Sequence, residues 1–301
     1  MTKVQAWLSA FRLRTLPLAL SSIIMGSFIA AFNHTFSWII LALASLTTLF
    51  LQILSNLAND YGDTVNGADH DERQGPQRMV QAGLISPKSM LRGIVILALL
   101  ALASGVCLIY YSFSGFDNYK FLVFLGVGFA AIIAAMKYTM GKNPYGYRGL
   151  GDLFVLLFFG VIGVGGSYFL HSLHFQWDVL LPALAVGFLS AGVLNLNNMR
   201  DIESDRQARK NTLVVLLGLS WAKKYHYFLV VGSVFLIVAF LVINQGTIVN
   251  YLGLIAIPLF IRHIKVVIHA SAATDFDPEL KRLALSTFIF VLSFGIGLII
   301  I

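Results

Sequence analysis

The sequence has few charged residues and almost no cysteine. Only 12% of its 301 residues are Asp, Glu, Lys or Arg, against roughly 25% in a soluble globular domain. The single cysteine, Cys107, allows no internal disulfide and matches no metal-site spacing, so we interpret it as a small packing residue. The sequence also lacks the patterns G-x-x-x-x-G-K-[ST], H-E-x-x-H and G-x-S-x-G. Their absence removes the usual signatures of phosphate-binding loops, zinc peptidases and serine hydrolases.

The sequence is instead rich in long runs of apolar residues. Apolar residues make up 58% of the chain, and the recurring runs are long enough to cross about 30 Å of hydrocarbon. Because the runs are long and do not alternate, transmembrane strands are excluded. The sequence therefore predicts an all-α integral membrane protein, a single domain over 1–301 with nine transmembrane helices. The runs lie near 16–32, 37–58, 93–113, 120–138, 151–171, 178–198, 223–243, 248–268 and 283–301.

The positive charge is divided unequally between the two sides that these helices define. If the N-terminus and every second connection lie on one side, that side holds 20 of the 21 Lys and Arg residues, and the other side holds only Lys120. A bias of this size places the basic side in the cytoplasm. The sequence therefore predicts a cytoplasmic N-terminus and an external C-terminus. The net charge of +7 is explained by topology and anionic lipid rather than by nucleic acid.

Two short acidic segments each follow directly on an apolar run, and each holds two aspartates three or four residues apart. On a helix such a pair shares one face, where like charges repel and a divalent cation removes the repulsion. Magnesium takes one or two carboxylates and leaves its other positions to water and phosphate oxygens. Both segments lie on the predicted cytoplasmic side, so we expect two facing pairs that hold a magnesium diphosphate. The pairs are Asp60 and Asp63, in N-L-A-N-D-Y-G-D at 56–63, and Asp201 and Asp205, in N-L-N-N-M-R-D-I-E-S-D at 195–205.

An alternative is that these aspartates are ordinary solvated loop charges. Asparagines argue against that interpretation, because they precede each pair inside the apolar run. Polar side chains at membrane depth are costly and usually face a cavity or the bundle interior. These asparagines are Asn56, Asn59, Asn195, Asn197 and Asn198.

Cations surround the acidic segments. Topology alone explains most of them, but one or two are suited to hold diphosphate oxygens, since Arg offers a fork of donors and Lys a compact charge. Lys142 and Lys210 are the first choices, and Arg14 and Arg148 are further candidates. The other neighbouring cations are Arg73, Arg78, Arg200, Arg206 and Arg209.

Glycine and tyrosine are concentrated between 138 and 152. The segment is either a flexible loop with interfacial tyrosines or a site where tyrosine faces, such as those of Tyr138 and Tyr145, shield and stabilise an allylic cation. The residues alone leave both interpretations open.

A short pattern is repeated along the chain. N-L-x-N occurs at 56–59 and again at 195–198, an offset of 139 residues, and closes the second and the sixth apolar run. The aspartates that follow match this offset only approximately. The pattern predicts two repeats of four helices, with a ninth helix added.

The chain resembles the UbiA-type intramembrane prenyltransferases over essentially its whole length. That family has nine transmembrane helices and two aspartate-rich cytoplasmic motifs, which match N-D-Y-G-D at 59–63, with Asp69 following, and D-I-E-S-D at 201–205. Within the family, the first motif, Y-G-Y-R-G-L-G-D at 145–152 and the final K-N-T-L resemble the 1,4-dihydroxy-2-naphthoate polyprenyltransferase branch. That branch commonly has glycine where this chain has Arg209, so the shape of that loop is expected to differ.

The resemblance implies a magnesium-dependent transferase of menaquinone biosynthesis in the bacterial inner membrane, with its active site on the cytoplasmic face. A polyprenyl diphosphate would donate its prenyl group to 1,4-dihydroxy-2-naphthoate, giving demethylmenaquinol with loss of CO2 and diphosphate. One aspartate pair would hold each magnesium, asparagines would complete the shells, and a lysine would help to neutralise the leaving diphosphate. The implied catalytic residues are Asp60, Asp63, Asp201 and Asp205, which with Asn59 also bind metal. The implied substrate-binding residues are Asn56, Asn59, Asn198, Arg14, Tyr138, Lys142, Tyr145, Arg148 and Lys210.

Other functions remain as alternatives at this stage. A related prenyltransferase would use another aromatic acceptor. A transporter would usually hold its ions near the bilayer midplane, whereas these carboxylates cluster at one surface. A CDP-alcohol phosphotransferase is expected to carry D-G-x-x-A-R, which the chain lacks.

Overall fold

The computed structural model describes residues 1–67, 75, 77–116 and 119–300. Within these ranges the chain is helical without strands, and nine helical stretches are long and apolar enough to cross a membrane. The predicted all-α fold with nine candidate spans is therefore confirmed. The α-helices are α1 (Lys3–Phe11), α2 (Leu16–Phe32), α3 (Trp38–Val65), α4 (Pro87–Phe113), α5 (Tyr119–Lys137), α6 (Gly151–Val155), α7 (Ser167–Ser172), α8 (Leu180–Arg200), α9 (Ile202–Gln207), α10 (Leu213–Leu217), α11 (Leu219–Ile243), α12 (Ile257–His269) and α13 (Ala273–Ile299). A π-helical stretch, Leu156–Gly166, joins α6 to α7.

Two helices extend further at their predicted cytoplasmic ends than the apolar runs suggested. α3 continues to Val65 instead of ending near 58, and α13 begins at Ala273 instead of near 283. The predicted bounds were wrong there because polar side chains in the added turns find partners inside the protein. Glu279 of α13, for example, is buried and pairs with His263 and Arg282.

The longer α3 carries the first acidic segment on a regular helix. Asn56, Asp60 and Asp63 stand at positions i, i+4 and i+7, so they share one buried face. In the second segment, α8 ends at Arg200 and α9 begins after Asp201, but the Asp205 N–H still donates to the Asp201 carbonyl at 2.8 Å. Each aspartate pair is thus held within one helical turn, as expected.

The main core surrounds α8. Leu189 and Leu196 of this helix are fully buried, and they pack in one cluster with side chains of α2, α11 and α13. A second cluster joins α1, α3 and the start of α4 around Leu54, Leu57 and Met90. The first cluster thus includes α8 and the second includes α3, the two helices that lead into the acidic segments.

Close backbone contact brings the π-helical stretch against α8. A Cβ on Gly160 would lie 2.7 Å from the Ala183 carbonyl oxygen, and a Cβ on Gly187 would lie 3.2 Å from the Gly160 Cα. Only glycine permits this approach at both positions. The π-helical stretch then forms one wall of the cavity described below.

The outer surface is apolar. Leu99 of α4, Val123 of α5 and Phe235 of α11 are exposed, as expected where hydrocarbon replaces water. The two-repeat arrangement and the cytoplasmic position of the N-terminus stay predictions.

Candidate active site

A cavity of about 420 Å³ opens between the ends of α3 and α8 and runs along α2, α4, α5 and the π-helical stretch. Its deeper wall is apolar and includes Ile109, Phe124, Leu125, Phe158 and Ile162. Its mouth is polar and is lined by Arg12, Arg14, Asn56, Asn59, Asp63, Arg78, Asn197 and Lys210. Such a cavity suits a molecule with an anionic head and a long apolar body.

The first acidic segment presents one of its two aspartates to the cavity. Asp63 forms an ion pair with Arg78 and accepts a hydrogen bond from the Tyr147 hydroxyl at 2.9 Å. Asp60 is buried, and its two oxygens accept backbone hydrogen bonds from Met79 and Val80. The two members of the pair therefore have different surroundings.

The asparagines of α3 hold neighbouring chain segments. Asn56 donates from Nδ2 to the Phe11 carbonyl at 2.9 Å and to the Thr15 hydroxyl at 3.0 Å, which fixes the start of α2. The Asn59 Oδ1 accepts from the Thr139 hydroxyl at 3.1 Å. A Cβ on Gly62 would lie 2.6–2.7 Å from Thr139, so glycine is required for this loop to approach α3.

The second acidic segment is held by a buried arginine. Arg200 donates to Asp201 from Nε at 2.8 Å and from Nη2 at 2.7 Å. The same guanidinium donates to Asp277 of α13 at 2.7 Å and to Asn197 at 2.8 Å. Arg200 thus fixes the end of α8 against the beginning of α13.

Lys210 joins the two acidic segments. Its Nζ lies 3.3 Å from Asp205 Oδ1 and 5.6 Å from the centre of the Tyr147 ring, and the Tyr147 hydroxyl donates to Asp63. Lys210 and Asp205 are both buried. Asp63, Tyr147, Lys210 and Asp205 therefore form one connected group, which we call the bridging cluster, and Asp63 and Lys210 of this group line the cavity mouth.

Burial and neighbouring charge set the ionisation of this cluster. Burial raises the pKa of Asp205 to about 6; Lys210 acts to lower it, and the carboxylates of Asp201 and Asp63 add to the rise. Burial acts to lower the pKa of Lys210, but Asp205 and Asp63 outweigh it and raise that pKa well above its ordinary value. Lys210 is therefore protonated at neutral pH, between two acidic segments.

Two predicted tyrosines lie in the cavity wall. The ring centres of Tyr138 and Tyr145 are 5.4 Å apart, and Tyr145 stacks on Phe154 with ring centres 4.0 Å apart. Burial raises the pKa of both phenols, so both are neutral. That their faces shield an allylic cation stays a prediction.

The four cations favoured for the diphosphate differ in burial and in whether they line the cavity. Lys210 is buried at the mouth, and Arg14 lines it while remaining exposed. Lys142 and Arg148 are exposed and lie outside the cavity wall, so their contact with diphosphate stays a prediction. Asp69 and Arg73 lie outside the described residues.

Oxygen atoms of the second acidic segment suit a hard divalent cation. Among the described residues, no three His, Cys, Asp or Glu side chains are gathered around one point that could hold a metal. Two buried oxygens, Asp205 Oδ2 and Asn198 Oδ1, nevertheless have no hydrogen-bond partner in this part of the chain. Carboxylate and amide oxygens of this kind are the ligands that Mg²⁺ prefers.

Sequence reasoning missed Arg78, which lines the cavity, and Tyr147, which donates to Asp63. Tyr147 belongs to the Gly- and Tyr-rich segment but was not singled out, and Arg78 was treated only as one of several neighbouring cations. The alternation of tyrosines in Y-G-Y-R signals an aromatic loop, but it does not say which ring faces the acids.

Comparison with known proteins identifies relatives of the whole chain. A statistical model of the UbiA prenyltransferase family matches residues 19–277. The chain is 39% identical to a 1,4-dihydroxy-2-naphthoate octaprenyltransferase of Haemophilus influenzae, over 99% of this chain and 97% of that protein. It is 40% identical to the Escherichia coli protein of the same name, over 99% of this chain and 96% of that protein.

Solved structures share the fold. A UbiA homolog from Aeropyrum pernix matches with a TM-score of 0.66 at 15% identity, covering 97% of each chain. A UbiA homolog from Archaeoglobus fulgidus bound to GPP and Mg²⁺ matches with a TM-score of 0.66 at 17% identity, covering 98% of this chain and 100% of that one.

Proposed function

Because the chain belongs to the UbiA prenyltransferase family, we propose that it transfers a polyprenyl group from polyprenyl diphosphate to 1,4-dihydroxy-2-naphthoate. Diphosphate and CO2 leave, and demethylmenaquinol, an intermediate of menaquinone biosynthesis, is formed. Near-full-length relatives that carry the name of this activity support the acceptor. The observation that carries the proposal is the bridging cluster at the mouth of an apolar cavity.

The donor fits this cavity in one direction only. The diphosphate lies at the mouth, where Lys210 and Arg78 supply positive charge, and the isoprenoid tail lies along the apolar wall. Reversing the molecule would bury a highly charged group among apolar side chains, which is very costly. The enzyme is membrane-embedded because both the donor tail and the product are lipids.

The oxygen ligands around the mouth support a magnesium site. Asn59 and Asp63 from α3, with Asn198 and Asp205 from the second segment, would hold Mg²⁺, which when bound neutralises charge on the diphosphate. Asp201 would join them if the Arg200 side chain, which donates to both of its oxygens, turned away. Asp60 was predicted to share this role, but its two oxygens accept hydrogen bonds from the backbone N–H groups of Met79 and Val80. Lys210 adds a fixed positive charge where the leaving group gains negative charge.

The chemistry balances without a further reactant. The bond between the prenyl carbon and the diphosphate oxygen breaks, and its electrons leave with diphosphate. The electron-rich naphthoate ring forms a new bond to the prenyl carbon at its carboxylated position. The bond to the carboxylate then breaks, its electrons restore the aromatic ring, and CO2 leaves. Tyr138 and Tyr145 line the cavity where their faces can stabilise positive charge on the prenyl group.

The reaction is proposed to take place at the cytoplasmic face of the inner membrane. The distribution of Lys and Arg supports this orientation, because every cation at the cavity mouth belongs to the strongly basic side of the chain.

Carboxyl-labelled acceptor tests the proposal directly. Purified protein with Mg²⁺, a long polyprenyl diphosphate and 1,4-dihydroxy-2-naphthoate should release labelled CO2 in step with diphosphate. A prenylated product that keeps the label would point to another acceptor chemistry within the family. A complete lack of diphosphate release with active, magnesium-supplied protein would contradict the proposal.

A further inference from the structure

Asp60 of α3 holds a chain segment that comes later in the sequence. The Met79 N–H donates to Asp60 Oδ2 at 2.8 Å, and the Val80 N–H donates to Oδ1 at 3.0 Å. All three residues are buried. Two consecutive N–H groups that converge on one anion form an anion-binding nest. Here the anion is a side chain of the protein itself.

The segment held in this way, 77–85, is also packed in place. Met79, Val80 and Ile85 are buried in the cluster that contains Leu57 of α3. The Met79 carbonyl accepts hydrogen bonds from the N–H groups of residues 84 and 85, both at 3.0 Å. The segment is therefore a compact turn that is fixed to α3 at Asp60.

Arg78 directly precedes the two N–H groups that Asp60 binds. Its guanidinium forms an ion pair with Asp63, one helical turn beyond Asp60, and lines the mouth of the cavity. Fixing residues 79 and 80 sets the direction in which the Arg78 side chain leaves the backbone. The contacts of Asp60 thus control where this guanidinium lies.

The same contacts distinguish Asp60 from Asp63 as a metal ligand. A cation bound at Asp60 would meet the positive ends of two backbone N–H dipoles that point at the same oxygens. Asp63 instead accepts from the side chains of Arg78 and Tyr147, and side chains can turn away when a cation arrives.

We propose that Asp60 is a positioning residue, which anchors segment 77–85 so that Arg78 lies at the cavity mouth and binds the diphosphate of the donor. The proposal rests on the proposed function for the identity of the donor. It separates the two aspartates of the first segment into an anchor, Asp60, and a residue that faces the substrate, Asp63.

Hydrogen exchange tests the anchor without any reaction. Full-length protein in lipid nanodiscs, without substrate, should show amide exchange in 77–85 that is faster by about tenfold in Asp60→Asn, because the amide group replaces one acceptor by a donor. Glu203→Gln is the matched control, since it removes one carboxylate charge from an exposed position in α9 and should leave this exchange unchanged. Unchanged exchange in Asp60→Asn would overturn the anchor.

Steady-state kinetics separate the anchor from a metal ligand. Asp60→Asn should raise the KM for polyprenyl diphosphate about tenfold, while the half-saturating Mg²⁺ concentration stays within about twofold of the wild type. Asp63→Asn should raise the half-saturating Mg²⁺ concentration. If Asp60→Asn shifts the magnesium requirement as Asp63→Asn does, Asp60 is a metal ligand and the proposal is wrong.

A double-mutant cycle tests the link to Arg78. In an Arg78→Gln background, Asp60→Asn should change the donor KM by less than about twofold, because the group that it positions is already gone. Effects that multiply independently would contradict the link. Asp60→Glu keeps the charge but displaces it by one methylene, so it provides the same exchange and kinetic readouts if Asp60→Asn does not fold.

The activity measurements and the exchange measurements test the proposed function and the anchor separately. Wild-type protein without diphosphate release would overturn the proposed function and the assignment of Arg78 to diphosphate. The exchange rates would still decide whether Asp60 anchors 77–85.

Discussion

Of the four cations favoured for the diphosphate, Arg14, Lys142, Arg148 and Lys210, all of them in the described part of the chain, Lys210 is the one that is buried. Its partner Asp205 comes from the turn just before it, while Asp63 and Tyr147 come from distant parts of the chain. The sequence indicated this lysine through its position after the second acidic segment. The sequence did not distinguish Lys210 from Lys142, because the residues next to each lysine are similar and do not show which side chain is buried.

Replacing Lys210 by methionine should remove most of the turnover. The change leaves Asp205 buried without its partner and takes away the fixed charge that faces the diphosphate, so kcat/KM should fall by at least about 100-fold, about 2.7 kcal/mol of transition-state stabilisation. Diphosphate release by purified protein is the measurement. Lys224→Met, at an exposed position on α11, is the control and should behave as wild type. Comparable losses of kcat/KM in both variants would mean that the lysine charge affects insertion into the membrane and not the reaction at the site.

Tyr147 links the segments through its hydroxyl and its ring. Tyr147→Phe removes the hydrogen bond to Asp63 but keeps the ring next to Lys210, so kcat/KM should fall by about tenfold. Tyr147→Leu removes both contacts and should cost more. Equal rates for the two variants would show that the ring contributes nothing, and a wild-type rate for Tyr147→Phe would remove the hydroxyl from the site.

At the scale of helices, apolar length located the spans but not their polar ends. The second apolar run ended near 58 and the ninth began near 283, because hydropathy detects only the part of a helix that is apolar enough to contact lipid. α3 and α13 continue beyond those points because Asp60 is satisfied by Met79 and Val80, and Glu279 by His263 of α12. These partners lie 16 to 20 residues away along the chain, beyond the range of the helical pattern that marks a span.

Arg200 connects α8 to α13 and should be important for stability. Arg200→Met leaves Asp201 buried without its two-pronged partner, so the free energy of unfolding should fall by about 3–5 kcal/mol. Asp277→Asn removes a partner whose side chain is 39% exposed, and solvent screening should limit that loss to about 1 kcal/mol or less. Thermal unfolding in detergent, with Glu203→Gln as the control, ranks the variants. A larger loss for Asp277→Asn than for Arg200→Met would contradict the arrangement.

At the scale of the whole molecule, the sequence predicted the all-α fold class and the nine candidate spans of the described residues, while the position of the site at the cytoplasmic face stays a prediction. The length of the apolar runs is a strong signal for the spans, because it does not depend on how the helices pack. The cavity could not be predicted in the same way. Its walls come from α2, α4, α5 and the π-helical stretch, whose apolar residues have the same pattern whether they face lipid, core or substrate.

The cavity yields a prediction about the length of the donor. Gly105 of α4 lies in the apolar wall, and a Cβ there would have only one neighbour within 4 Å, the Thr47 methyl carbon at 3.7 Å. A leucine at this position therefore fits without backbone strain and extends into the cavity. If the isoprenoid tail lies along this wall, Gly105→Leu should block long donors and spare short ones.

The test compares a long and a short prenyl diphosphate as donors for the same variant. Gly105→Leu should lower kcat/KM for octaprenyl diphosphate by about tenfold or more, because overfilling a packed site costs roughly 1–3 kcal/mol, while geranyl diphosphate should be used at close to the wild-type rate. Gly126→Leu is the matched control, since Gly126 is exposed on α5 and no atom lies within 4 Å of its Cβ position. Equal losses for both donors would mean that the leucine disturbs the helix bundle. An unchanged preference for the long donor would mean that the tail leaves the protein before it reaches α4, through an opening nearer the mouth.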